Sequence, residues 1–157
     1  VCFHYYNYFI MKFPLSILND RILLPVLFDA PSYRIRMKRI SFCLDTGSPK
    51  TYIDSGTAQI IGIPFNNLKI DETVVRLGGI KFSSLSMKNV SIKVKNDESS
   101  LYIFNLPEIK VLNPTKSTQE AKNIAYSTPS ILGLDFLKEN KLKFFCDIAD
   151  DIAYLEN

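Results

Sequence analysis

The apolar segment Phe42-Cys43-Leu44 runs directly into Asp45-Thr46-Gly47-Ser48-Pro49, and the chain then resumes as Thr51-Tyr52-Ile53. Gly47 and Pro49 force a tight turn, and the apolar residues on either side read as strand ends. A strand, a short loop and a second strand are therefore predicted here. Ser55 is predicted as the N-cap of a short helix from Gly56 to Ile61, which Gly62 ends and Pro64 keeps from continuing.

The rest of the chain is written in the same short, strand-like units. Arg21 to Phe28 is almost wholly apolar or β-branched, with Pro25 inside it, which suits an edge or bulged strand. After a turn at Asp29-Ala30-Pro31-Ser32, residues Tyr33 to Ile40 alternate. Tyr33, Ile35 and Met37 fall on one side and Arg34, Arg36 and Lys38 on the other, so the basic row is read as a solvated sheet face. Four further strands are predicted at Thr73 to Leu77, Ile80 to Leu85, Val90 to Val94 and Leu101 to Phe104, separated by Gly78-Gly79 and the polar run Asn96 to Ser100. Asn113 to Ser130 is polar, contains Pro114 and Pro129, and reads as a surface connection with a short helix near Thr118 to Ile124. Ile131-Leu132-Gly133-Leu134, a helix from Asp135 to Asn140, and a hairpin from Lys143 to Leu155 turning near Asp150-Asp151 complete the pattern.

With 157 residues, 46% of them hydrophobic, the chain has the size and apolar content of one domain. Its 19 basic and 16 acidic residues are too evenly balanced to imply a nucleic-acid partner. Charges such as Asp20 and Arg21 interrupt every apolar run, so no membrane-spanning segment is expected. Cys2, Cys43 and Cys146 lie far apart without metal-ligand spacing, and His4 is the single histidine. Reduced thiols, no metal, no cofactor and a cytoplasmic location are the reading. Residues 1–20 are taken as an N-terminal extension, with 1–10 upstream of a true start at Met11, and 21–157 as the domain.

Asp45 is the residue most suited to chemistry. An Asp-Thr-Gly tripeptide turns up by chance in a chain of this length roughly 3% of the time, and a plain β-turn explains it equally well in isolation. Its setting sharpens it: a strand end before, a hydroxyl residue after, a strand and short helix behind, and Ile131-Leu132-Gly133 with a helix far downstream. Asp135 reads instead as a helix N-cap, and Asp147, Asp150 and Asp151 as hairpin-turn residues.

In these features the chain, from about Arg21 to Leu155, resembles the retropepsin-like aspartic proteases, single-domain relatives of pepsin. The resemblance implies a mainly β, closed-barrel acid-protease domain with one or two short helices. It casts Asp45 as the catalytic carboxylate and Thr46, Gly47 and Ser48 as its supports. Thr46 would hydrogen-bond across a dimer axis, the Gly47 N–H would face the carboxylate, and the Ser48 hydroxyl would brace the outer oxygen. Ile131, Leu132 and Gly133 would cross behind the loop as hydrophobic support. A flap from about Thr73 to Phe82, with Leu77, Gly78, Gly79 and Ile80 at its tip, would close over an extended polypeptide. One aspartate cannot serve as both acid and base, so the resemblance implies a homodimer that contributes two copies of Asp45. Two other readings stay open: a catalytically weak homodimer that binds peptides, and a nucleic-acid binder using Arg34, Arg36, Lys38 and Arg39. Relative to viral members, Leu106 to Ser130 reads as an inserted loop.

Overall fold

Hydrogen bonding between the predicted strands closes a ring. In chain order the strands are β1 (Lys12–Pro14), β2 (Ser16–Leu18), β3 (Arg21–Ala30), β4 (Ile35–Leu44), β5 (Tyr52–Ile53), β6 (Lys69–Leu77), β7 (Ile80–Lys95), β8 (Leu101–Pro114), β9 (Ser130–Leu132), β10 (Lys143–Asp147) and β11 (Ile152–Glu156). Three short helices, α1 (Ser55–Ile61), α2 (Gln119–Ser127) and α3 (Leu134–Glu139), connect them. The computed structural model describes residues 10–77, 80–114 and 118–157. Pairing runs from β3 through β4, β9, β5, β8 and β7 and returns to β3, with β2 and β6 attached outside this ring. A sheet closed in this way leaves few free edges and encloses one core, here formed by residues such as Phe28, Phe42, Ile53, Met87, Val111 and Leu132. Among the described residues, no helix is long and apolar enough to cross a membrane.

The expected N-terminal extension is part of the fold from Lys12 onward. β1 and β10 flank β11 in a separate antiparallel sheet, with Phe13 opposite Leu155. Burial explains why: Phe13 is fully buried, its ring 5.0 Å from Phe104, which lies 5.2 Å from Phe136 of α3. Val1 to Phe9 lie outside the described residues.

Two other expectations change. Val90–Val94 and Leu101–Phe104 are pieces of the much longer β7 and β8, which stay paired from Phe82↔Pro114 to Lys95↔Leu101. Leu106 to Pro114, read as the start of a loop, are therefore strand. Lys88 and Glu108 sit opposite each other on the wet face, while Met87, Val90, Leu106 and Ile109 are buried. The ladder skips one pair, where Asn89 takes a positive φ of 56° opposite Pro107, which has no N–H to give. On β4, the expected alternation fails at Met37. It has φ 51°, donates its N–H to Asp29 Oδ1 at 3.2 Å, and is 46% exposed. The β3 and β4 register slips by one residue between Phe28 and Ala30, so Ile35 and Ile40 rather than Met37 face the core.

If β1 is integral, Phe13→Ala lowers unfolding free energy by about 3–5 kcal/mol, as expected for emptying a buried aromatic site. Urea denaturation measures this, and a loss below about 1 kcal/mol would make the strand dispensable.

Candidate active site

Asp45 sits where β4 ends, at the mouth of a turn that folds back on itself. Ser48 N–H donates to the Asp45 carbonyl at 3.1 Å, and Gly47 N–H donates to Asp45 Oδ1 at 2.8 Å. A Cβ on residue 47 would lie 3.1 Å from that same oxygen, so glycine there lets the amide come close. The Asp45 carboxylate and Thr46 are both exposed in the single chain. Ser48 differs from expectation. Its hydroxyl donates to the Lys50 carbonyl at 2.8 Å, stiffening the loop's exit instead of bracing Asp45.

The loop is held from behind by β9, which lies between the two strands that flank it. β9 pairs in parallel with β4, placing Leu44 beside Leu132, and antiparallel with β5 at Tyr52↔Ile131. The hydrogen bonding continues past the strands. Asp45 N–H donates to the Leu132 carbonyl at 3.1 Å, and Leu134 N–H donates to the Ser48 carbonyl at 2.9 Å. Gly133 between them has no room for a side chain, because a Cβ would sit 2.5 Å from the Lys50 carbonyl carbon and 2.9 Å from the Ser48 oxygen.

A second fastening joins residues that the sequence keeps 84 positions apart. Asp135 accepts from Thr51 N–H at 3.1 Å and from Thr51 Oγ1–H at 2.7 Å, while Thr51 Oγ1 accepts from Gly133 N–H at 3.0 Å. Asp135 was expected to cap α3, but Gly133 occupies the cap position and Asp135 lies in the first turn. Its carboxylate ties that turn to the far end of the Asp45 loop. A similar substitution of roles occurs at α1, whose cap is Asp54 rather than Ser55. The buried Asp54 carboxylate accepts from Thr57 N–H and from the Ser130 hydroxyl, each at 2.8 Å, which fixes β5 to the start of β9.

The sheet around Asp45 has two apolar faces. Phe42, Leu44, Ile53, Val111 and Leu132 enter the main core. Their neighbours Cys43, Tyr52, Leu112 and Ile131 point the other way and gather with Phe82 in a separate cluster. Val75 of β6 and Ile124 of α2 pack on that cluster, so β6 and α2 both reach the surroundings of the loop. The Asp45 charge is felt here. Burial pushes the Tyr52 phenol up to about 12, with Asp45 adding to the shift. Burial also pushes the Cys43 thiol up, opposed by Arg21 and reinforced by Asp45.

The sequence-predicted residues separate into two groups. Asp45 to Ser48 and Ile131 to Gly133 come together as one hydrogen-bonded unit. Leu77 and Ile80 pair with each other at the end of the β6–β7 ladder, and Gly78-Gly79 lie outside the described residues. Thr51, Asp135 and Tyr52 were not among the predicted site residues. Thr51 and Asp135 carry no local signal, since their partnership exists only once β9 has crossed the loop.

No protein-family model matches this sequence, and no curated protein matches it. Solved structures do resemble it. A retropepsin-like aspartic protease from Rickettsia conorii superposes with a TM-score of 0.58 at 17% identity, covering 94% of this chain and 91% of the other. EIAV protease complexed with an inhibitor gives 0.49 at 15% identity, covering 82% and 96%. The retroviral protease-like domain of Ddi1 from Leishmania major gives 0.45 at 16% identity, covering 77% and 79%. The chain has the retropepsin-like fold.

Replacing Gly133 by alanine forces the Lys50 and Ser48 carbonyls away from β9 and costs about 2–3 kcal/mol, because backbone must move to admit the methyl group. Chemical denaturation reads the loss. A cost under about 0.5 kcal/mol would show that the loop and β9 are not in close contact.

Proposed function

We propose that the chain is one subunit of an aspartic endopeptidase, in which two copies of Asp45 from a homodimer activate water for attack on a peptide bond. The observation that carries this reading is the Asp45 turn itself. Its carboxylate is oriented by the Gly47 amide, its backbone is anchored to Leu132, and the group stays exposed at the surface of the single chain.

The chemistry needs one carboxylate ionised, to draw a proton from water, and a second protonated, to hydrogen-bond the carbonyl oxygen of the substrate. Two carboxyl groups placed a few ångströms apart meet that need together, since ionising one opposes ionisation of the other and the pair titrates as a unit. One chain supplies a single Asp-Thr-Gly turn, and a two-fold axis beside it supplies the second. Thr46, exposed next to Asp45, is assigned the contact across that axis. The β6–β7 hairpin serves as the flap, and an extended polypeptide adds along it by backbone hydrogen bonds. Pockets beside the dyad are assigned to the Cys43, Tyr52 and Ile131 cluster.

Cleavage of an unfolded protein mixture by the wild-type dimer follows a bell-shaped pH profile, since the active form carries one proton on the pair. Asp45→Asn, folded and dimeric by light scattering, loses at least roughly a thousandfold of the rate. A dimer inactive at every pH between about 3 and 8, or full activity in Asp45→Asn, would overturn the reading.

A further inference from the structure

The closed sheet splits along β3. β3 pairs with β7 only at Leu27↔Lys93, Phe28↔Ile92 and Asp29↔Ser91, and with β2 only from Arg21 to Leu23. Between those ladders, from Leu24 to Val26, β3 pairs with β4 alone among the described residues. Pro25 has no N–H to offer, so it suits the point where β3 parts from β7. The parting leaves a cavity of about 580 Å³. Pro25, Leu27, Ile40 and Leu101 give it an apolar lining, and Arg39, Lys93 and Lys95 give it a basic one.

That basic lining is short of counter-charge. Lys93 meets Asp29 at 3.7 Å, while Arg39 and Lys95 make no ion pair among the described residues. Leu101, paired with Lys95 across β7 and β8, is 57% exposed, a large apolar surface beside an unneutralised cation. Arg39 lies six residues before Asp45 on β4, roughly 20 Å along an extended strand, so the cleft is separate from the Asp45 turn.

We propose that this cleft binds an extended peptide segment in which acidic residues alternate with aliphatic ones. The apolar lining suits its aliphatic side chains, and Arg39 and Lys95 suit its carboxylates. Nucleic acid fits less well, because no aromatic ring lines the cleft to stack a base. The site does not depend on cleavage at Asp45.

The test uses the full chain as Asp45→Asn, so that a bound peptide cannot be cut. Fluorescence anisotropy follows a labelled nonapeptide of alternating valine and glutamate, its valine–lysine counterpart, and a single-stranded RNA oligonucleotide. The acidic peptide binds saturably, and Arg39→Glu with Lys95→Glu weakens it at least roughly tenfold. Equal affinity for both peptides, stronger binding of the RNA, or affinity unchanged by charge reversal in a folded protein would overturn the proposal. Should the reversed variant fail to fold, a salt titration of the Asp45→Asn protein decides. Affinity that falls with salt supports the cleft, and salt-independent affinity rejects it.

Discussion

Everything near Asp45 depends on β9 threading between β4 and β5. Two backbone hydrogen bonds made just beyond the strand ladder, Asp45 N–H to Leu132 and Leu134 N–H to Ser48, turn a flexible Gly-Pro-containing loop into a fixed one. Neither bond could form with a side chain at residue 133, since the Lys50 and Ser48 backbone atoms occupy that space. Closure of the ring depends on the same insertion, because β9 is the link between β4 and the β5–β8 half of the sheet. One strand of three residues thus completes both the core and the site.

The side chains of this crossing have complementary tasks. Leu132 is fully buried in the main core, and Ile131 enters the second cluster with Tyr52 and Phe82. Ser130 holds Asp54 at one end of β9, while Gly133 and Asp135 hold Thr51 at the other. Each of these buried or half-buried polar groups has a partner of complementary type, so the crossing adds rigidity without leaving the Asp54 or Asp135 carboxylate unpaired. An exposed carboxylate thus stands on a turn held in place from behind, beside an apolar cluster on which Val75 of β6 packs.

Much of this was legible in the sequence because it depends on local chemistry. The strand, turn, strand and helix from Phe42 to Gly62 are set by Gly47, Pro49 and Gly62, and the structure has them at nearly the predicted positions. The hairpin from Lys143 to Leu155 likewise turns on its own residues near Asp150-Asp151, with Asp147 Oδ1 accepting from Ala149 N–H and Asp150 N–H. Long-range pairing was not legible. Ile80 to Leu85 and Val90 to Val94 were read as separate strands, and only the opposing strand shows that the interruption at Asn89 is a single skipped pair opposite Pro107. Met37 was assigned to the core by counting in twos, which a positive-φ residue defeats. The role of Asp135 was read from its nearest helix, whereas its strongest contacts lie across the molecule.

The central claim is that catalysis needs one Asp45 from each of two chains. Wild-type and Asp45→Asn chains, unfolded together, refolded at varied ratios and held at constant total concentration, test it directly. If the two carboxylates act as a pair, mixed dimers are inactive and the rate of peptide cleavage falls with the square of the wild-type fraction. A rate that falls linearly with that fraction would mean that each subunit works alone, and the shared-dyad account would be wrong.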